Sequence, residues 1–224
     1  MRILIINPNT THSMTDKVRI AAEQVAPVDV SIHTATSQNG PASIQGAEDG
    51  EAAVPGLLAE VVKGLDQSMD AFVIACFDDT GLESCRELTD KPVIGIGEAA
   101  FHASMMLGHS FSIVTTLAVS IPVIEENLEK YALSAACRKV RASDVPVLAL
   151  EEPGSDAEEQ ISAEISRSLA EDGSQAIVLG CAGMTDLSAR LTLRHKVPVI
   201  DGVVAAVGMA SALVRLQHSQ QASD

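Results

Sequence analysis

The chain has no tryptophan, one tyrosine and four phenylalanines, so it lacks the aromatic platforms on which bases and sugars stack. No apolar run approaches the ~18 residues of a membrane span, and no membrane partner is expected. Basic residues are scarce. Fifteen Lys and Arg stand against thirty Asp and Glu, a formal charge of −15. Nucleic acid and anionic lipid both require a basic surface, so neither is expected as a partner. An anionic small molecule is not excluded, because local donors override the overall field. The four cysteines, Cys76, Cys85, Cys137 and Cys181, show no CxxC or metal-knuckle spacing. A disulfide framework is not expected in a cytosolic chain of this size, which leaves packing or chemistry for each. Glu98 and His102 share a helix face at i, i+4, but two ligands do not make a metal site. Gly95-x-Gly97 is too short for a dinucleotide fingerprint. No metal and no organic cofactor is expected.

What is present is a globular composition, 46% apolar and 20% charged over 224 residues, sufficient for one domain or two small ones. Short β-branched runs alternate with longer segments of helical period, the pattern of an α/β fold with parallel sheets. Strands are predicted over Ile3–Ile6, Val28–His33, Ala71–Ala75, Val93–Ile96, Phe111–Thr115, Val145–Leu150, Ala176–Leu179 and Val197–Ile200. Helices are predicted over Met14–Val25, Glu51–Leu65, Leu82–Leu88, Ala99–Leu107, Val119–Tyr131, Ala157–Ala170, Leu187–Arg194 and Val203–Leu216. The apolar stretch Met1–Asn7 is too short for a signal peptide and is broken by Pro8, so it reads as a first strand in a cytoplasmic protein. The polar tail Gln217–Asp224 is expected to fray.

An internal repeat organises these elements. Asp70-Ala-Phe-Val-Ile-Ala-Cys76 matches Gln175-Ala-Ile-Val-Leu-Gly-Cys181, and a Leu follows each Cys six residues on, at Leu82 and Leu187. Both stretches then run through a helix into Pro-Val-Ile, at Pro92–Ile94 and Pro198–Ile200. Ile3–Asn7 matches Ser112–Thr116 more weakly. Two similar lobes are implied, each a mainly parallel sheet flanked by helices, related by a pseudo-two-fold with the site between them. We place the first lobe at residues 1–97 plus 203–224 and the second at residues 98–202.

In parallel sheets, ligands bind beyond the carboxyl ends of the strands. Both Cys76 and Cys181 fall at that edge. If the lobes face each other, one sulfur stands on each face of a bound stereocentre. That is the geometry of two-base proton transfer, in which one thiolate removes a proton and the opposite thiol delivers another. A thiol of ordinary pKa ~8.5 is lowered by a helix N-terminus, and Thr80-Gly81 and Thr185-Asp186 are candidate cap regions. Backbone N–H groups in Phe77–Gly81 and Ala182–Met184 would receive the developing enolate oxygen. The alternative is packing, the usual role of a strand-end Cys. Cys85 and Cys137 read as structural.

The chain resembles the aspartate/glutamate racemase superfamily and, within it, the hydantoin racemase branch. The resemblance is carried along nearly the whole length by Asn7–Thr11 with Met14-Thr15, Gly40–Ile44, Ala75–Leu82, Gly95–Ala100, Ile113–Thr116, Leu179–Met184 and Val199–Val203. It implies Cys76 and Cys181 as the acid/base pair and racemisation of 5-monosubstituted hydantoins, or of the similar allantoin. Amino-acid racemases of the superfamily typically carry Asn-Thr after a catalytic Cys, to grip a carboxylate. Phe77-Asp78 and Ala182-Gly183 stand here instead, which suits a neutral ring. Superfamily decarboxylases and isomerases use altered cysteines, and a two-lobed binding protein gives no reason for the pair. A homo-oligomer is the default expectation for such an enzyme.

The other candidates carry two readings each. Asn9 and Thr10 either hydrogen-bond the ring or cap the following helix. Ser43 and Ile44, in a long loop, either line the pocket or form ordinary turns. Thr115 and Thr116 end the second lobe's first strand at the same edge. Gly183 would let backbone approach the ligand, with Met184 beside it, and Phe77 walls the pocket or packs. Asp78 and Asp79 either tune Cys76 and orient a donor or favour a helix dipole. Asp78 and Thr80 complete the expected binding set.

Overall fold

The computed structural model describes residues 1–107 and 110–221. Among the described residues two four-stranded sheets form, and every strand pairing is parallel. In the first, β1 (Arg2–Asn7), β2 (Ser31–Thr36), β3 (Ala71–Ile74) and β4 (Val93–Gly95) lie in the order β2-β1-β3-β4. In the second, β5 (Phe111–Thr115), β6 (Cys137–Ala142), β7 (Ala176–Gly180) and β8 (Val199–Ile200) lie in the order β6-β5-β7-β8. The strand order repeats, as the two-lobe expectation requires. The central strands β1, β3, β5 and β7 are buried almost throughout. Covering on both faces is why they read as unbroken apolar runs rather than alternating ones.

Helices α1 (His12–Val25), α2 (Ala47–Asp66), α3 (Leu82–Arg86) and α4 (Ile96–Met106) belong to the first half of the chain. Helices α5 (Ile121–Lys130), α6 (Ala157–Glu171), α7 (Ser188–His195) and α8 (Gly202–Gln221) belong to the second. The last helix of each half crosses over. α4 follows β4 yet packs against β7 and β8, while α8 follows β8 yet packs against β3, β4 and β1. The two helices also pack on each other. One apolar core therefore runs from Ile3, Ile5 and Val73 to Phe111, Ile113 and Val178. Phe101 of α4 meets Phe77 edge-on at 5.4 Å and stacks on Phe111 at 6.1 Å, tying the halves together. No helix among the described residues is long and apolar enough to cross a membrane.

Three expectations are corrected. The strand predicted over Val145–Leu150 does not form; a 3-10 helix occupies Val147–Glu151, and the edge strand is Cys137–Ala142. That strand escaped notice because Cys-Arg-Lys-Val-Arg-Ala carries three cations. One of them, Arg141, is buried and neutralised by Asp172 and Glu164 from α6 and the residue after it. β2 lies three residues beyond its predicted limits, at Ser31–Thr36. The tail does not fray at Gln217, because α8 continues to Gln221; residues 222–224 lie outside the described ones.

Candidate active site

Cys76 follows β3 and Cys181 follows β7, so equivalent strands deliver the two sulfurs to equivalent edges. Both line one cleft of about 400 Å³, counting space open to solvent. Of the residues named from sequence, Asn9, Ile44, Phe77, Asp78, Thr116 and Gly183 share that lining. Among the residues lining the cleft, Asp78 alone is of a charged type.

Cys76 Sγ lies 3.3 Å from Thr80 Oγ1, and the Asp78 N–H donates to the sulfur. Cys181 sits at the start of the 3-10 helix Ala182–Leu187 and receives the Gly183 N–H. These donors act in the expected direction, towards the thiolate. Burial outweighs them. It pushes the Cys181 thiol up to about 12 and the Cys76 thiol further, and a negative charge on Asp78 raises both. A charge on either cysteine is felt at the other, so ionised Cys181 disfavours a second thiolate at Cys76. Burial likewise lifts the Asp78 carboxyl to about 7, against a 3.4 Å hydrogen bond donated by Ser120 Oγ.

Thr10, Ser43, Thr80, Thr115 and Met184 lie around the cleft rather than on it. Thr10 donates both its N–H and its hydroxyl to Pro41 O, at 3.0 and 3.3 Å, pinning the long loop in which Ser43 is buried. Thr115 Oγ1 donates to Gly180 O at 2.9 Å across the β5–β7 ladder. Met184 is wholly buried in the second lobe's core. Asn9 Oδ1 accepts from Asn7 Nδ2 and the Thr11 N–H, each at 2.9 Å, which leaves its Nδ2 against Met14 Sδ at 3.3 Å. Glu98 is held by Arg86 at 2.6 Å, and the His102 ring bonds the Glu98 carbonyl at 2.8 Å. No group of three or more His, Cys, Asp or Glu among the described residues is placed to hold a metal ion.

Sequence reasoning missed Met14, Ser120 and Val147, all in the lining. Ser120 lies just past β5, at the edge where Asn9 follows β1, but the match of Ile3–Asn7 to Ser112–Thr116 puts it opposite Thr11, which carried no site signal. Met14 on the inner face of α1 is indistinguishable from core by pattern. Val147 was concealed inside an apolar run that looked like a strand.

Two parallel lobes with a cysteine at the same edge of each define a class of two-lobed α/β enzyme. The family described as Asp/Glu/Hydantoin racemase matches residues 3–210, and the chain belongs to it; it is an isomerase of the racemase type. A hydantoin racemase of Rhizobium meliloti is 49% identical over 214 residues, spanning 96% of this chain and 89% of that protein. Among solved structures, an allantoin racemase from Klebsiella pneumoniae has a TM-score of 0.94 at 44% identity, covering 97% of this chain and 89% of that one. An allantoin racemase from Pseudomonas fluorescens has a TM-score of 0.92 at 40% identity, covering 97% and 92%.

Proposed function

We propose that this chain racemises 5-monosubstituted hydantoins by two-base proton transfer at C5, with Cys76 and Cys181 as base and acid and without a cofactor. The observation that carries the reading is the shared cleft. Two sulfurs reach it from equivalent strand ends of opposite halves, as a planar carbanion attacked from either face requires. Their mutual repulsion disfavours two thiolates at once, so a thiolate formed at one cysteine faces a thiol at the other. The C5 proton is acidified by the adjacent ring carbonyl, so the enolate oxygen is the group to stabilise. Backbone N–H groups in the loops following the cysteines would supply that stabilisation. Asp78 as the one acidic side chain in the lining, with no cation beside it there, suits a neutral ring and repels a free α-carboxylate.

Allantoin is a second reading, favoured by the two structural relatives named as allantoin racemases. The division into residues 1–97 with 203–224 and residues 98–202 belongs to the same proposal, because α8 packs on the first sheet and α4 against the second. So do a reducing compartment such as the cytoplasm, where both thiols stay free, and a homo-oligomeric assembly, measurable by light scattering. Incubating a single enantiomer of a 5-substituted hydantoin in D₂O tests the central claim. Loss of optical rotation with deuterium at C5 is expected. Carbon dioxide release from a malonate-type acid, with no racemisation, would assign a decarboxylase instead.

A further inference from the structure

The apolar run Val145–Leu150 is kept out of the second sheet; Val145 packs in the second core cluster and Val147 reaches the cleft. β2 and β6 hold the same edge position in their sheets, and the segments leaving them start alike. The Ser37 N–H donates to Asn7 O, and the Ser143 N–H donates to Thr115 O, each at 2.9 Å. One segment continues through residues 38–46 to α2, the other through residues 144–156 to α6. Each supplies one apolar side chain to the lining, Ile44 from the first half and Val147 from the second.

The two segments are joined. Gln45 Oε1 accepts the Val147 N–H at 3.2 Å. Lys17 of α1 holds the second segment from the opposite half, donating to Leu150 O at 2.7 Å and pairing with Glu151 at 2.8 Å. The first segment is seated on α2, where a Cβ on Gly56 would lie 2.1 Å from Ser37 Oγ. The result is a clasp contributed by both halves, with Ile44 and Val147 beside its polar link.

We propose that Ile44 and Val147 are the specificity-determining pair that contacts the C5 substituent of a ring held between the sulfurs. This rests on the hydantoin reading above. A hydantoin ring presents N–H and C=O groups along its edges, and burying one of these against an aliphatic pair leaves it without a hydrogen-bond partner, which is unfavourable. Asp78, Ser120 and Thr116 supply polar atoms elsewhere in the lining. The part of the substrate that matches Ile44 and Val147 is therefore an apolar substituent. A ureido group, as in allantoin, loses its hydrogen bonds there. The clasp selects alkyl or aryl hydantoins over allantoin.

The test compares kcat/KM for 5-isobutylhydantoin and allantoin. Val147→Thr keeps the shape and exchanges a methyl for a hydroxyl; the isobutyl-to-allantoin ratio is expected to fall about tenfold. Gln45→Leu removes the cross-link without changing a lining side chain, and should lower kcat/KM for both rings by one common factor. An unchanged ratio in Val147→Thr, with an active wild type, overturns the clasp assignment and leaves the hydantoin reading standing. A wild type that racemises neither ring overturns that reading and the clasp with it. Should Val147→Thr fail to fold, Ile44→Ala gives a second readout. Enlarging the site should raise the ratio of 5-benzyl- to 5-methylhydantoin, and no change would count against the pair.

Discussion

Asp79 and Asp201 hold equivalent helix starts from non-equivalent places in the repeat. Asp79, three residues past Cys76, accepts the N–H groups of Gly97 and Glu98 at 2.9 and 2.7 Å, at the start of α4, and the Tyr131 hydroxyl at 2.9 Å. Asp201, directly after β8, accepts the Val203 N–H at 2.8 Å, at the start of α8, and the Thr185 hydroxyl. Aligning the halves puts Gly95 opposite Asp201 and Met184 opposite Asp79. Each crossing helix thus has one buried carboxylate at its N-terminus, where the dipole favours it. One comes from the cysteine loop, the other from the strand end.

Gly95 makes the room that Asp79 needs, since a Cβ there would lie 2.0 Å from Asp79 Oδ1. Gly95→Ala is expected to cost about 1–3 kcal/mol through overpacking. Asp79→Ala should cost about 1–2 kcal/mol as a lost helix cap. The double variant should cost less than the sum, because removing the carboxylate relieves the clash. Urea unfolding of the three proteins measures this, and strict additivity would refute the pairing.

Cys76→Ser and Cys181→Ser should each reduce racemisation by about 10²–10⁴-fold, the usual contribution of a positioned acid or base. Each should retain deuterium exchange at C5 on one enantiomer only, with opposite preferences, because the surviving thiol still reaches one face. Proton NMR of separate enantiomers in D₂O reads both effects. Two single variants that racemise at near wild-type rates would end the two-base assignment.

Asp78→Asn should make both cysteines easier to ionise. Burial is the main cause of their raised thiols, and the Asp78 charge adds to it in each case. Removing that charge lowers both pKa values, so the pH midpoint for alkylation by iodoacetamide should move down at Cys76 and Cys181 together. Peptide mass spectrometry after alkylation at a series of pH values follows each site. A midpoint that stays put at both would show that Asp78 does not face the sulfurs.

Arg141→Met should destabilise the fold by about 3–5 kcal/mol, since it leaves buried acids without their partner. Arg141 grips Asp172 through two contacts of 2.6 Å and Glu164 at 3.0 Å, and its side chain is 8% exposed. Hydrogen bonds from Arg141 hold the Asp172 carboxyl below its usual range. The pair therefore adds stability that is fully present above the ordinary carboxylate pKa of 3.8 and is lost as pH falls through the lowered value. Denaturation at neutral and acid pH should show the variant's deficit shrinking in acid.

The central strands were legible because both faces are covered, which writes each as one apolar run. The repeat was legible because both halves deliver a cysteine from such a run. Of the edge strands, β4 and β8 were legible at Val93–Ile96 and Val197–Ile200, but β2 and β6 were not. β2 is a half-exposed Ser-Ile-His-Thr-Ala-Thr, and β6 hides a buried arginine that only distant acids make tolerable. Apolarity also misled at Val145–Leu150, where the run packs on the second core and gives Val147 to the cleft rather than forming a strand.

The sequence by itself determined the α/β class, the duplication and the two cysteines at matching strand ends, because these depend on local periodicity and on internal likeness. Tertiary structure alone decided which side chains share the cleft, that α4 and α8 exchange sheets, and that burial rather than a helix dipole governs the thiols. Those outcomes depend on segments far apart in the chain, and desolvation is a property of everything packed around a group, which no stretch of neighbouring residues records.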